Sequence, residues 1–363
     1  MTSSRRPETQ ARDSVLARFL LGFHGTSLPS ELAGYLERGL AGVVVYPRNF
    51  RDVHELHNLA GQIRAAAKRP VLIGIDQEGG TRFALAKPFT QWPSATELGA
   101  LGDPHITEQV ARAMAVELRA VGCNVDFAPM LDLNHNPDSP VTKDRSFGAD
   151  PLRVAGLGVA FDRGLRAGRV LPCAKHFPGH GDVAVDPHVQ LPVYPGTLEQ
   201  LQAANLVPFA AAIRAGVPLV MTAHILLPKI ERDRPASLSR IILHDVLRHG
   251  MKFRGVILAD DLGMGAIAHT YGPGQAAVET FQAGTDIAML CHDWSLVAPA
   301  IEAVRRARAA GAFDDSEWEA SVERIDATCA LAERHPPRMP LDVLGCEEFL
   351  ALSARVREAS HQR

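Results

Sequence analysis

The stretch that decides the fold prediction is Val170-Leu-Pro-Cys-Ala-Lys-His-Phe-Pro-Gly-His-Gly-Asp-Val-Ala-Val-Asp-Pro-His-Val-Gln-Leu-Pro192. It begins as a short apolar run and breaks at Pro178-Gly179. The stretch holds three histidines, one lysine and two aspartates, on both sides of this break, and it continues as a loop rich in glycine and proline. An apolar strand that ends in titratable groups on a tight turn is how α/β enzymes present catalytic residues. A polar surface loop is the alternative, but the density of titratable groups favours a functional site.

Short apolar runs alternate with amphipathic segments on both sides of this stretch. The runs lie at 19–23, 42–46, 71–75, 124–130, 170–174, 219–223, 255–258 and 286–291, and the amphipathic segments at 30–38, 52–67, 105–121, 151–167, 198–215, 239–249, 275–283 and 294–310. The runs are too continuous for a sheet that is wet on one face. Eight such repeats predict an α/β fold with a closed (β/α)8 TIM barrel. A doubly wound open sheet competes, but no G-x-G-x-x-G motif follows the first run.

The domain organisation predicted from this pattern is a single catalytic domain. Residues 1–13 are polar and are expected to be a disordered lead-in, and residues 14–335 form the barrel. Two further helices are expected at 316–333 and 346–358, so residues 336–363 are predicted to be a C-terminal helical extension.

The composition excludes several classes of protein. Of 363 residues, 46% are hydrophobic, and 38 basic residues nearly balance 41 acidic ones without a long run of one sign, so neither nucleic acid nor an anionic membrane is expected as a partner. The N-terminus has no apolar signal core and no apolar run is long enough to span a membrane. Five scattered cysteines without a C-x-x-C pair suit a reducing cytoplasm, where we expect the protein to act as a monomer.

Polar side chains gather directly after five consecutive apolar runs. They are Asp76-Gln-Glu-Gly-Gly80, Asp132-Leu-Asn134 with Lys143-Asp-Arg-Ser-Phe147, Lys175-His176, His224 and Asp260-Asp261. Each alone could be a turn or a helix cap, but together they mark the active edge of a barrel. The set combines carboxylates, imidazoles and donors for hydroxyl groups, and it lacks a phosphate-binding glycine loop or a G-x-S-x-G elbow. It therefore fits cleavage of a glycosidic bond without a cofactor.

These segments resemble the family 3 glycoside hydrolases, and within them the compact bacterial β-N-acetylglucosaminidases of the NagZ type. The matching segments are Asp76–Gly80, Asp144–Gly148, Lys175–Asp182, Asp186-Pro-His188, Met221–His224 and Ala259–Met264. The resemblance implies a single-domain barrel, retaining stereochemistry and neither a metal nor a cofactor. It also implies a small carbohydrate substrate that contains N-acetylglucosamine, such as a saccharide or a muropeptide from peptidoglycan recycling.

The same resemblance assigns roles to individual residues. It makes Asp260 the nucleophile and His188 the general acid/base, with Asp186 as its partner. Sugar hydroxyls would be held by Asp76, Arg145, Lys175 and His176. Asp182 and His224 are candidates of lower rank, and Asp261 is expected to be structural. A histidine acid is unusual, but a reference pKa near 6.5 lets it donate and then accept a proton at neutral pH.

The sequence departs from the family pattern near the sugar site. Thr81 and Ala84 stand where the family has arginines, one of which binds the sugar, and Arg82 is a possible substitute. Val183 and Pro187 replace a threonine and a serine in the dyad loop, and proline stiffens that loop because it fixes φ. These changes leave the preference for N-acetylglucosamine over glucose open.

Three alternatives to hydrolysis by this mechanism remain. One is a metal-dependent barrel hydrolase that uses His176, His180, Asp182 and His188 as zinc ligands. Another is a sugar-binding barrel without turnover, which the changes at residues 81 and 84 motivate. The third is phosphorolysis, since a neutral histidine does not repel phosphate as a carboxylate does.

Overall fold

The computed structural model describes residues 13–83, 85–136, 138–183, 185–334 and 339–362. Residues 1–12 of the predicted lead-in, the predicted boundary at residues 335–336, and Ala84 lie outside the described residues. Among the described residues, no helix has the length and the apolar composition needed to cross a bilayer.

Eight parallel strands close into a barrel within the described part of the chain. In chain order they are β1 (Phe19–Leu21), β2 (Gly42–Val44), β3 (Leu72–Ile75), β4 (Val125–Asp126), β5 (Leu171–Phe177), β6 (Leu219–Thr222), β7 (Val256–Asp261) and β8 (Ile287–Leu290). Each strand pairs with its neighbour in sequence, and β1 pairs with β8. The predicted (β/α)8 barrel is thereby confirmed, because a doubly wound sheet would leave two free edges.

A helix follows each strand and covers the outside of the barrel. The helices are α1 (Ser30–Glu37), α2 (Val53–Ala66), α3 (Pro104–Ala120), α4 (Pro151–Ala167), α5 (Leu206–Arg214), α6 (Ile241–Gly250), α7 (Pro273–Ala283) and α8 (Val297–Ala309). Both α3 and α4 start with a proline after an aspartate, Asp103 or Asp150, whose side chain accepts hydrogen bonds from two amides of the first turn. Proline at this position removes an amide that would have no partner, so the sequence sets where these helices begin.

Apolar side chains form one layer inside the barrel and a second layer between the strands and the helices. Along β7, Val256 and Leu258 belong to the inner layer, whereas Ile257 and Ala259 belong to the outer layer. Both faces of the strand are therefore buried. This explains why the strands appear in the sequence as continuous apolar runs.

Two more helices, Asp315–Glu333 and Glu347–His361, follow the barrel helices. The first places Ile325 in the inner layer, and its Glu333 accepts a hydrogen bond from Asn124 Nδ2 at 2.7 Å, just before β4. This helix therefore closes the amino-terminal end of the barrel. The second helix packs mainly against the short helix Ala95–Leu101, which precedes α3, and also contacts α3. Both lie where helices were predicted, and the assignment of residues 336–363 as a separate extension stays a prediction.

Two barrel strands carry one extra residue at their carboxyl-terminal ends. In β5 three steps, from Ala174 to Phe177, face two steps of β6, and in β7 three steps, from Leu258 to Asp261, face two steps of β8. Such bulges interrupt the alternation of side chains between the two faces. The side chains of consecutive residues, in Lys175-His176 and in Asp260-Asp261, can therefore reach the same side of the barrel wall.

Candidate active site

The carboxyl-terminal ends of the strands surround a cavity of about 380 Å³. Side chains from the loops after β3, β4, β5 and β7 converge on its wall. The wall contains all seven residues predicted to act in catalysis or to hold a sugar: Asp76, Arg145, Lys175, His176, Asp186, His188 and Asp260. Phe127 of the inner layer also lines this space, so the cavity has an apolar floor.

The two aspartates that end β7 differ in what their carboxylates contact. Asp260 is half-buried, lines the cavity and accepts a hydrogen bond from the amide of Asp261 at 2.8 Å. Asp261 is buried, and it accepts from the amides of Gly263 at 2.9 Å and Cys291 at 3.2 Å and contacts His292 Nδ1 at 2.7 Å. Asp261 therefore holds the loops after β7 and β8, which is the structural role expected for it.

The carboxyl group of Asp260 is kept ionised by its surroundings. Burial alone would raise the pKa of Asp260, but His176, the amide of Asp261 and Lys175 hold it below its usual value. His176 is oriented in turn by the fully buried Asp132, whose Oδ2 lies 2.7 Å from His176 Nδ1. Because a carboxylate only accepts, we assign the proton to Nδ1, which leaves Nε2 of His176 for a ligand.

A buried carboxylate, Glu78, joins the cationic side chains of the site. It accepts two hydrogen bonds from Arg145, at 2.7 and 2.8 Å, and lies 2.5 Å from Lys175 Nζ. Lys175 Nζ also donates to Asp76 Oδ1 at 2.6 Å. Burial alone would raise the pKa of Glu78, but Arg145 and Lys175 hold it well below its usual value. Burial would lower the pKa of Lys175, but Asp76 and Glu78 raise it, so Glu78 and Lys175 are both charged.

Two side chains of this arrangement, Glu78 and Asp132, were not predicted to be site residues. Both lie within polar segments that the sequence singled out after the third and fourth strands. The available signal was their spacing of two residues from Asp76 and Asn134, since alternate residues of an extended segment point the same way. Neither meets the cavity as a nucleophile; Glu78 holds two cations and Asp132 holds an imidazole.

The acid/base pair lies on the loop after β5. His188 Nδ1 is 2.8 Å from Asp186 Oδ1, which also accepts a hydrogen bond from the His188 amide at 2.9 Å. Burial would raise the pKa of Asp186, but the two hydrogen bonds from His188 lower it, so Asp186 is ionised. The carbonyl of Pro187 accepts from the amide of Ala266 at 3.0 Å and fixes the loop against the start of the helix Gly265–Ala268.

The two candidates of lower rank have structural partners. Asp182 contacts His135 Nδ1 at 2.9 Å and accepts from Asn205 Nδ2 at 2.6 Å, and it is not among the described residues that line the cavity. His224 lines the cavity, but its Nε2 donates to a backbone carbonyl at 3.0 Å and its Nδ1 contacts Ser237 Oγ at 2.7 Å. Burial lowers the pKa of His224, which agrees with a neutral ring that uses both nitrogens.

Thr81, the first departure from the family pattern, fastens one side of the cavity. Its amide and its Oγ1 donate to the carboxylate of Asp144 at 2.8 and 2.9 Å. The next residue, Arg82, is exposed and lines the cavity. The chain therefore presents a guanidinium one position after the first expected arginine and two positions before the second, which is the one that binds the sugar in the family.

The proposed zinc ligands do not converge. No group of three or more histidines, cysteines or carboxylates within the described ranges could hold a metal ion. One nitrogen of His176 is engaged by Asp132, and the carboxylate of Asp182 contacts two side chains outside the cavity. The donor geometry therefore gives the metal-dependent alternative no support.

A (β/α)8 barrel with an ionised carboxylate, an aspartate–histidine pair and charged groups for hydroxyls in one cavity is the arrangement of a glycoside hydrolase. The chain belongs to glycosyl hydrolase family 3: the sequence model "Glycosyl hydrolase family 3 N terminal domain" matches residues 29–328. The family and the enzyme class predicted from the sequence are confirmed.

Similar proteins support this assignment. A "Beta-hexosaminidase" of Stenotrophomonas maltophilia (strain R551-3) is 39% identical over 294 residues, which cover 79% of this chain and 86% of that protein. A family 3 beta-N-acetylglucosaminidase structure from Paenibacillus sp. str. FPU-7 has a TM-score of 0.91 at 32% identity, over 96% of this chain and 68% of that one. NagZ from Neisseria gonorrhoeae, in complex with N-trifluoroacetyl-D-glucosamine, has a TM-score of 0.78 at 29% identity, over 95% and 98% of the two chains.

Proposed function

We propose that this protein is a retaining exo-β-N-acetylglucosaminidase that hydrolyses terminal β-linked N-acetylglucosamine through a covalent glycosyl–enzyme intermediate. The observation that carries the proposal is that the ionised Asp260 and the His188–Asp186 pair line one cavity. The named activities of the relatives favour an N-acetylated sugar. The apolar floor at Phe127 favours the end of a saccharide chain over an internal bond.

In this proposal the reaction takes two displacements. The Asp260 carboxylate attacks the anomeric carbon while His188 Nε2 gives its proton to the departing oxygen. His188 Nε2 then removes a proton from a water molecule as the water oxygen attacks the anomeric carbon. This attack breaks the ester bond to Asp260 and restores the β configuration of the anomeric carbon. Asp186 accepts from His188 Nδ1 throughout, so the proton that moves is the one on Nε2.

The sugar hydroxyls are proposed to contact Asp76, Arg145, Lys175 and His176. The Asp76 side chain is 38% exposed, whereas that of Lys175 is only 2% exposed. Asp76 is therefore placed to accept hydrogen bonds from hydroxyl groups, and Lys175 mainly holds Asp76 in position. His176, which follows Lys175 on β5, offers Nε2 because Asp132 engages its Nδ1.

We further propose that the natural substrates are peptidoglycan fragments in the cytoplasm. The acid/base pair is more than 40% exposed, with 60% of the His188 side chain and 42% of the Asp186 side chain in contact with solvent. The space above the sugar is therefore open enough for a bulky aglycone such as a muropeptide. Hydrolysis of purified fragments by the protein, followed by mass spectrometry, tests this substrate class.

The direct test of the activity compares release of p-nitrophenol from the β-N-acetylglucosaminide and the β-glucoside. We expect the acetylated substrate to be strongly preferred. A preference for the glucoside would refute the proposed sugar and would point to the altered segment around Thr81. Formation of sugar 1-phosphate when phosphate is added would show that the reaction is phosphorolysis and not hydrolysis. Absence of turnover on both substrates would favour a binding protein.

The His188→Ala variant is expected to lose most activity on substrates whose leaving group must be protonated to depart. General acid catalysis contributes about 10² to 10⁴ to a rate, so kcat/KM for N,N′-diacetylchitobiose should fall by that factor. For the p-nitrophenyl glycoside kcat/KM should fall much less, since p-nitrophenolate departs without a proton. Steady-state kinetics on both substrates measure this difference.

An exposed histidine on the barrel helix α3, replaced in His105→Ala, is the matched control and should leave both values unchanged. Equal losses on the two substrates in His188→Ala would contradict the acid role.

A further inference from the structure

A second cavity, of about 850 Å³, lies at the end of the barrel opposite to the catalytic cavity. It opens between α6, α7 and the helix Asp315–Glu333 that closes this end, and we call it the basal cavity. Its wall combines aromatic rings with guanidinium groups: Phe281, Phe313, Trp318, Arg18, Arg240, Arg248 and Arg324. It shares no described lining residue with the catalytic cavity, and its volume is typical of sites for small molecules.

Positive charge is in slight excess in the wall of the basal cavity, where four arginines face the carboxylates of Asp286, Asp314 and Glu317. Arg240 pairs with Glu317 at 2.9 Å. Arg248 and Arg324 both pair with the buried Asp286, at 2.6 and 2.8 Å. Arg18 contacts no carboxylate among the described residues; its Nε donates to the Asp286 carbonyl at 3.1 Å and its Nη2 donates to the Thr285 carbonyl. Three guanidinium groups therefore share one carboxylate.

The uncompensated cation is Arg18. It is 3% exposed and lies with its guanidinium carbon 4.2 Å from the ring centres of both Phe281 and Trp318. Burial lowers the pKa of Arg18 to about 9, and the attraction of Asp286 only partly offsets this effect. Buried charges are normally paired, so an anion in the adjacent cavity would be held strongly.

Two buried polar groups in the same wall lack a hydrogen-bond partner in the part of the chain that the structure describes. They are Trp318 Nε1 and Ser321 Oγ, on side chains that are 1% and 2% exposed. Three positions apart on one helix, they lie on the same face. Buried donors almost always have a partner, so these two groups indicate a missing acceptor.

We propose that the basal cavity binds a small organic carboxylate. The carboxylate would lie beside Arg18 and accept from Trp318 Nε1 and Ser321 Oγ. Its apolar body would pack against the rings of Phe281 and Phe313. A ligand that binds only the folded protein also stabilises it. Here it would link the Leu16–Arg18 segment before β1 to the helix that closes the barrel. This site is independent of the proposed glycosidase mechanism.

Calorimetric titration of benzoate, acetate and inorganic phosphate at constant ionic strength tests the site. Wild type should bind benzoate more tightly than acetate or phosphate, because only benzoate offers an apolar ring. The double variant Trp318→Phe/Ser321→Ala keeps the aromatic wall but removes both donors, and it should bind benzoate at least about tenfold more weakly. Ser353→Ala, on the last helix, removes a hydroxyl outside the cavity and should leave binding unchanged.

Equal benzoate affinity in wild type and in a folded double variant would overturn the proposal, and so would phosphate binding as tight as benzoate binding. Circular dichroism and the turnover of p-nitrophenyl substrates report whether the double variant is folded. If it is not, Arg324→Gln serves instead, since its side chain is 26% exposed and Arg248 still pairs with Asp286. Several-fold weaker benzoate binding in Arg324→Gln supports the site, and unchanged binding refutes it.

Discussion

Asp260→Ala should abolish turnover, lowering kcat on the p-nitrophenyl β-N-acetylglucosaminide by about four orders of magnitude or more. The reason lies in the two carboxylates at the end of β7. Asp260 lines the cavity, and among the described residues its carboxylate accepts a hydrogen bond only from the adjacent amide of Asp261, whereas Asp261 is bonded to loop amides. The variant leaves an empty space on the face of the sugar where Asp260 would attack. Added azide should enter that space and form the α-glycosyl azide, which NMR identifies, so partial rescue by azide marks the nucleophile.

The neighbouring aspartate provides the matched control. Asp261→Asn weakens the hydrogen bonds to Gly263 and His292, so it should lower the thermal unfolding temperature and reduce activity without any response to azide. Rescue of Asp261→Asn by azide would contradict the assignment of Asp260 as the nucleophile. So would an Asp260→Ala variant that keeps most of its activity and does not respond to azide.

The fold could be predicted from the sequence because burial on both faces of a barrel strand leaves a direct trace. Runs such as Val256–Ala259 are apolar at every position, and the helices between them begin at caps such as Asp150-Pro151. The short helix Ala95–Leu101, which precedes α3, was not predicted, since its seven residues carry too few turns for a clear period. The predicted helix at 198–215 is interrupted near Ala204, where the backbone leaves the helical region.

The residues that line the catalytic cavity could be predicted, but the contacts among them could not. The segments after the strands marked the active edge, since barrel topology brings these loops together. The resemblance to family 3 then selected Asp260, His188 and the sugar-binding candidates within them. The bulges of β5 and β7 leave no signal in composition, because one inserted residue changes no residue type. Composition also does not distinguish Asp260 from Asp261, because the hydrogen bonds of Asp261 with the amides of Gly263 and Cys291 depend on the folded loops.

Glu78 was missed because its function depends on partners that lie far away in the sequence. Arg145 follows it by 67 positions, and Lys175 lies on another strand. A single glutamate in a D-x-E-G-G segment is as compatible with a turn as with a site. Its importance follows from burial and from the two cations that it neutralises.

Glu78→Gln should be the most destabilising single change in the site, with a loss of about 3–5 kcal/mol in the free energy of unfolding. The substitution keeps the size of the side chain but leaves Arg145 and Lys175 with Asp76 as the remaining carboxylate of the group. Because Asp76 depends on Lys175 for its position, KM for the N-acetylglucosaminide should rise as well. Urea unfolding at neutral pH, with steady-state kinetics on the folded fraction, measures both effects.

The surface pair of Arg51 and Glu55 supplies the control, since the Arg51 side chain is 79% exposed and Glu55→Gln should leave the free energy of unfolding nearly unchanged. The pH dependence separates the lost charge from lost packing. The pKa of Glu78 is depressed on folding, so its contribution is full above the ordinary glutamate value of 4.5 and is lost as the pH falls toward the folded value. The stability gap between wild type and Glu78→Gln should therefore be constant from about pH 6 to 8 and narrow below about pH 4.5. A gap that persists in acid would mean that shape, and not the charge of Glu78, holds this side of the cavity together.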